Sequence, residues 1–219
     1  MRITVLDFGS FLSYSPHGSS PDIDQAREVM KIMKADQYFE KPQILVSDWI
    51  AKTIKQHLDR LPFASFFKED TVLVPTPSSS LMQANSLWVP YRIATALVNV
   101  GIGKEVVACL VRKTAVRKSA WSKPSERPKV KEHIASFSVQ ELISSPPPDE
   151  IVLVDDIITR GATLLAAANR LSDALPKAHI RAFAAMRTIG DPSDFVSLSR
   201  PVTGTVQYRP LKDDTIRRP

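Results

Sequence analysis

The stretch from residue 150 to 164 constrains the fold more than any other. It reads Glu150-Ile151-Val152-Leu153-Val154-Asp155-Asp156-Ile157-Ile158-Thr159-Arg160-Gly161-Ala162-Thr163-Leu164. A short continuous apolar run predicts a strand covered on both faces, the environment of a parallel sheet. From Thr163 to Leu175 the apolar residues fall at helical spacing. A strand feeding a helix through a short glycine-containing turn is half of a βαβ unit, so the chain is expected to build an α/β sheet.

The remaining segments extend that expectation. Residues 2–15 read as one or two strands, and a helix capped by Asp22 or Asp24 follows to about Asp36. A longer helix is expected over about 43–60, starting after Pro42, with His57 near its end in polar surroundings. Thr71–Val74 predicts a strand that ends in Pro75-Thr76-Pro77-Ser78-Ser79-Ser80, a proline- and serine-rich turn. Further expectations are a helix from Pro90 to Val100, a strand from Lys104 to Val111, and strand or helix over Ile134–Val139. Ala178–Met186 predicts another strand, and the last thirty residues a peripheral strand plus tail. The fold class is α/β: a mostly parallel twisted sheet with helices on both faces. One domain is expected over 1–190, with a small hood from about 1–40, and 191–219 as an extension or tail.

Composition excludes several functions. No apolar stretch approaches the roughly 18–20 residues of a bilayer-spanning helix, so no membrane partner is expected. An acid, Asp7, stands where a signal peptide would be apolar, which predicts a cytoplasmic location. The single cysteine, Cys109, excludes an internal disulfide and any multi-thiolate metal site, and its apolar neighbours predict a buried side chain. The four histidines form no close pair, and His133 reads as a surface residue. The formal net charge of +6 is concentrated: from Lys104 to His133 nine basic residues face three acids. A localised anionic partner fits that distribution, and so does a solvated loop. With Trp121 inside it, the segment also leaves a nucleic-acid-associated role open.

The chemistry concentrates behind the clearest strand. In open α/β sheets, ligands bind outside the carboxyl ends of the strands, and here Asp155 and Asp156 arrive at that point. The following Thr159-Arg160-Gly161-Ala162-Thr163 loop offers backbone N–H groups, two hydroxyls and the positive end of a helix dipole, which together suit a phosphate. Carboxylates beside a phosphate cradle make sense for a sugar phosphate, whose hydroxyls donate to the acids while its phosphoryl group lies in the loop. The alternative for these residues is an exposed acid pair followed by a helix capped by Thr159.

Four apolar residues, two acids, two spacers and a Thr-x-Gly-x-Thr loop resemble the diphosphoribosyl-binding motif of type I phosphoribosyltransferases. Val74-Pro75-Thr76-Pro77, and more loosely Ser122 to Phe137, are similar to the ComF-type branch, without the amino-terminal zinc module of many relatives. The resemblance implies that Asp155 and Asp156 hold the ribose hydroxyls and that Thr159, Arg160, Gly161, Ala162 and Thr163 hold the 5-phosphate. It implies a diphosphate loop at Thr76, Pro77, Ser78 and Ser79, and a basic lid in which Arg117 and Lys118 act on the leaving diphosphate. Mg²⁺ would arrive with phosphoribosyl diphosphate, a nucleobase or amine would accept the phosphoribosyl group, and the chain would form a homodimer. Arg160 stands where Thr is commoner, and Asn85-Ser86-Leu87-Trp88-Val89 lacks the basic stretch of the family. Cations near the leaving group are what that stretch would supply. A non-catalytic module that binds phosphoribosyl diphosphate or a nucleotide is therefore the second reading.

Overall fold

The computed structural model describes residues 1–83, 85–116, 128–140 and 147–219. A seven-stranded sheet forms its centre. Strands β1 (Val5–Tyr14), β4 (Val72–Pro75), β5 (Glu105–Val106), β8 (Glu150–Ile158) and β9 (His179–Thr188) run parallel in the order β1-β9-β8-β4-β5. Strands β10 (Ser199–Arg209) and β11 (Asp214–Arg218) extend the β1 side as an antiparallel hairpin. Two short ribbons stand apart from the sheet: β2 (Tyr38–Phe39) with β3 (Ile44–Leu45), and β6 (Leu110–Arg112) with β7 (Phe137–Val139).

Helices cover both faces, as the apolar strands require. On one face, α1 (Pro21–Lys34), α2 (Val46–His57) and α3 (Val89–Asn99) pack Met33, Ile50, Ile54, Ile93 and Leu97 against Val152, Val154 and Phe183. On the other, α4 (Val130–Ser136) and α5 (Ala162–Ala174) pack Val130, Leu164, Leu165 and Leu171 against Ile151, Leu153 and Ala182. Alternate residues of β8 thus serve alternate cores, the period-two rule of a strand.

Several boundaries differ from the expectations. Ser20, not an aspartate, caps α1: its hydroxyl accepts the Ile23 N–H at 3.2 Å, and Pro21 fits the first turn because it has no N–H to satisfy. The 43–60 helix begins only at Val46, because the β2–β3 ribbon takes the residues around Pro42. The apolar run 104–111 is two strands in different sheets, since β5 pairs with β4 while β6 turns away to pair with β7. Residues 130–139 are helix and then strand. The carboxyl-terminal segment is a paired hairpin. No helix is long and apolar enough to cross a membrane, among the described residues.

This topology places one crevice. From β4 the chain crosses through α3 to β5; from β8 it crosses through α5 to β9, in the opposite direction along the sheet. The adjacent carboxyl ends of β4 and β8 therefore form a switch point, where departing loops diverge to opposite faces.

Candidate functional site

The two loops singled out from the sequence meet at this switch point. β4 ends at Pro75, paired with Val154, and the Thr76 N–H donates to the Val154 carbonyl at 2.9 Å, so Thr76 comes level with Asp155 of the neighbouring strand. Thr76 and Pro77 are buried, whereas Ser78 and Ser79 are half-exposed. Strand β8 continues past its apolar run through both acids to Ile158, so the carboxylates project from ordered strand beyond the last residue paired with β4.

Neighbouring strand residues point to opposite faces, and the acid pair follows that rule. Asp156 meets α1, where the Lys34 ammonium donates to its carboxylate at 2.6 Å. Asp155 attracts Arg112 of β6, on the side of the other core. Its carboxyl is pushed up to about 7, first by burial and then by the charge of Asp156, with Thr76, Lys34 and the Asp156 N–H pulling it down. Lys34 is raised above its ordinary value: burial lowers it, but attraction and hydrogen bonding by Asp156 win.

Arg112 anchors the other loop. Its Nε donates to the Ser78 carbonyl at 2.6 Å and its Nη1 to the Ser136 hydroxyl, while the guanidinium lies 4.2 Å from the Phe137 ring centroid. The residue is only 8% exposed, and its Nη2 has no hydrogen-bond partner among the described residues. Burial pulls its pKa down to about 10. A buried guanidinium with one unmet nitrogen beside a serine loop is an acceptor-seeking group.

Residues 159–163 close the site on the β8 side. Thr159 and Thr163 are half-buried, Arg160 is exposed, and Gly161 is buried with φ +82°, a left-handed turn that brings the chain into α5. The Thr159, Arg160 and Gly161 N–H groups donate to no backbone carbonyl among the described residues. A helix entry with no acid in its first turn favours an anion.

A search of protein-family models matches none of them to this chain. A search of curated proteins finds no similar sequence. The reading of the site therefore rests on its residues.

The structure brings Asp155, Asp156, Thr76–Ser79 and Thr159–Thr163 to one edge of the sheet. Arg117 and Lys118 lie outside the described residues. Of the residues expected to build the hood, Val5–Tyr14 run inside the sheet, and α1 brings Lys34 to the acid pair. Cys109 is buried as expected, and burial raises its thiol to about 11. His133 is not on the surface: it is 2% exposed and stacked on Phe137, because α4 turns it inward, and burial drives its pKa down to about 4. Sequence reasoning did not single out Lys34 or Arg112 as site residues. For Arg112 a signal existed: it closes the apolar run Cys109-Leu110-Val111, as a strand residue does, ahead of the polar segment.

Proposed function

We propose that this chain binds phosphoribosyl diphosphate with Mg²⁺ at the β4–β8 switch point and is a type I phosphoribosyltransferase, with a ComF-like arrangement. The observation that carries the reading is the convergence of the acid pair, the Thr159–Thr163 turn and the Arg112-anchored serine loop at one sheet edge. Asp155 and Asp156 accept hydrogen bonds from the ribose hydroxyls. The turn N–H groups and the hydroxyls of Thr159 and Thr163 receive the 5-phosphate. Thr76–Ser79 and Arg112 receive the diphosphate, and Lys34 adds a cation at the ribose.

Two carboxylates, rather than a full protein cage, fit a Mg²⁺ ion that shares oxygens with its substrate. When bound, that ion offsets the negative charge of the diphosphate. The reaction is displacement of diphosphate from the anomeric carbon by a nitrogen nucleophile of a base or amine. It needs positioning and cations at the departing group rather than a covalent nucleophile.

A binding module without turnover is the second reading, favoured by the uncharged residues 85–89 that follow the diphosphate loop. One experiment separates them. Mg²⁺ and phosphoribosyl diphosphate should raise the melting temperature of the native chain, and Asp155→Asn with Asp156→Asn should abolish that rise with the fold retained. Diphosphate release on adding nucleobases or small amines supports the transferase; stabilisation without release supports the module. No stabilisation in the native chain would refute both.

A further inference from the structure

The carboxyl-terminal hairpin touches the phosphate turn in a specific way. Arg217 of β11 donates from Nη1 to the Ile158 carbonyl at 2.8 Å and from Nη2 to the Thr188 carbonyl at 2.6 Å. Thr215, 2% exposed, donates its hydroxyl to the Arg160 carbonyl at 2.7 Å. Val206 of β10 lies against Gly161, so close that a Cβ there would come within 2.4 Å of Val206 Cγ2. The far end of the hairpin is pinned separately, where the Asp213 carbonyl accepts the Val130 N–H at 3.1 Å.

A peptide unit is planar and trans, so its C=O and the next residue's N–H point in opposite directions. Anchoring the Ile158 carbonyl on Arg217 therefore turns the Thr159 N–H away from the hairpin. Anchoring the Arg160 carbonyl on Thr215 does the same to the Gly161 N–H. The hairpin takes two carbonyls and leaves two donors facing the other way. Neither donor meets a backbone carbonyl among the described residues, which leaves both open to an anion.

We infer that Thr215 and Arg217 are positioning residues for the phosphate subsite, acting through the orientation of the Thr159 and Gly161 amides. The inference rests on the reading given under Proposed function and extends the site to a strand more than fifty residues beyond the turn in sequence. The ligand group recognised is a phosphomonoester on a sugar. Neither residue touches it.

The test follows the backbone amide signals of isotope-labelled full-length chain during titration with ribose 5-phosphate. In the native chain the Thr159 and Gly161 amides should shift. Thr215→Val and Arg217→Met should each weaken binding by about 3- to 10-fold, the loss of one hydrogen bond's orienting effect. Thr215→Ser, which keeps the hydroxyl, should restore it. Tyr208→Phe removes the hydroxyl that donates to Asp213 in the hairpin turn at 2.8 Å. That change loosens the hairpin far from the phosphate turn and should leave affinity unaltered, which separates orientation from general stability. Should Arg217→Met fail to fold, the isosteric Thr215→Val carries the test alone. Equal affinity in native, Val and Met chains would overturn the positioning role and leave the site reading standing. If ribose 5-phosphate moves neither amide in the native chain, the phosphate subsite and the positioning role fall together.

Discussion

Lys34 and Asp156 are 122 residues apart in sequence, yet the ammonium and carboxylate meet at 2.6 Å, while Asp155 alongside carries a carboxyl raised by burial. One acid of the pair thus faces a local cation, and the other titrates near 7. Lys34 also pulls down the Asp155 titration. Replacing Lys34 by Met should therefore move the Asp155 midpoint above about 7. Carboxyl carbon shifts recorded against pH would show it. A midpoint unmoved by the substitution would refute the coupling.

Asp155 and His133 pull the pH dependence of stability in opposite directions. The folded Asp155 carboxyl titrates near 7 against an ordinary 3.8, so between those values the native state holds a proton that the unfolded chain has lost. Its contribution is full below 3.8 and is lost as pH rises through 7. The folded His133 titrates near 4 against 6.5, so the unfolded chain holds the extra proton between them, and stability is lost as pH falls through 4. From about 4.5 to 6.5 the two slopes oppose. Asp155→Asn should leave a melting temperature that climbs with pH across that window, and His133→Leu one that declines. Parallel profiles in both variants would contradict the assignment.

The parts of the site legible in sequence are those made by adjacent residues. An apolar run, two acids and a glycine turn fix β8, the carboxylates and α5 locally, and Val-Leu-Val-Pro does the same for β4 and its loop. The partners recruited across the fold carry no such signal. Lys34 closes a helix whose pattern specifies only its buried face. Thr215 and Arg217 sit in a hairpin that is largely half-exposed, with weak alternation. The division of 104–112 into β5 and β6 was hidden because Val107-Ala108-Cys109 is as apolar as either strand, so hydrophobicity gave no boundary. His133 misled for the converse reason: its sequence neighbours Lys131 and Glu132 are exposed, but the helix places His133 against Phe137.

Arg112 separates the two halves of the proposed ligand. Under the proposed function, its Nη2, which has no partner among the described residues, and the Ser78 loop it anchors would receive the diphosphate end. Arg112→Met keeps the apolar stem but removes a charge-assisted contact of about 1.5–3 kcal/mol, roughly 10- to 100-fold in affinity. Phosphoribosyl diphosphate should bind more weakly by that factor, while ribose 5-phosphate, which lacks the diphosphate, should bind as before. Calorimetric titration of both ligands checks this, and equal losses for the two would place Arg112 elsewhere in the site.

Gly161 is required twice over, and the two requirements are separable. An alanine there must adopt φ near +82°, which costs about 1–2 kcal/mol for a residue with a Cβ. Its Cβ also meets Val206 at 2.4 Å, an overlap that must be relieved by shifting β10 or the turn, at about 1–3 kcal/mol. Gly161→Ala should therefore lower the melting temperature by about 4–20 °C, taking 2–4 °C per kcal/mol for a chain of this size. Adding Val206→Ala removes the overlap but not the dihedral strain. The double variant should then be more stable than the sum of the two single losses predicts, by about 1 kcal/mol or more. Simple additivity would mean that the turn is free to move away from the hairpin, and the orientation of its amides would lose its physical basis.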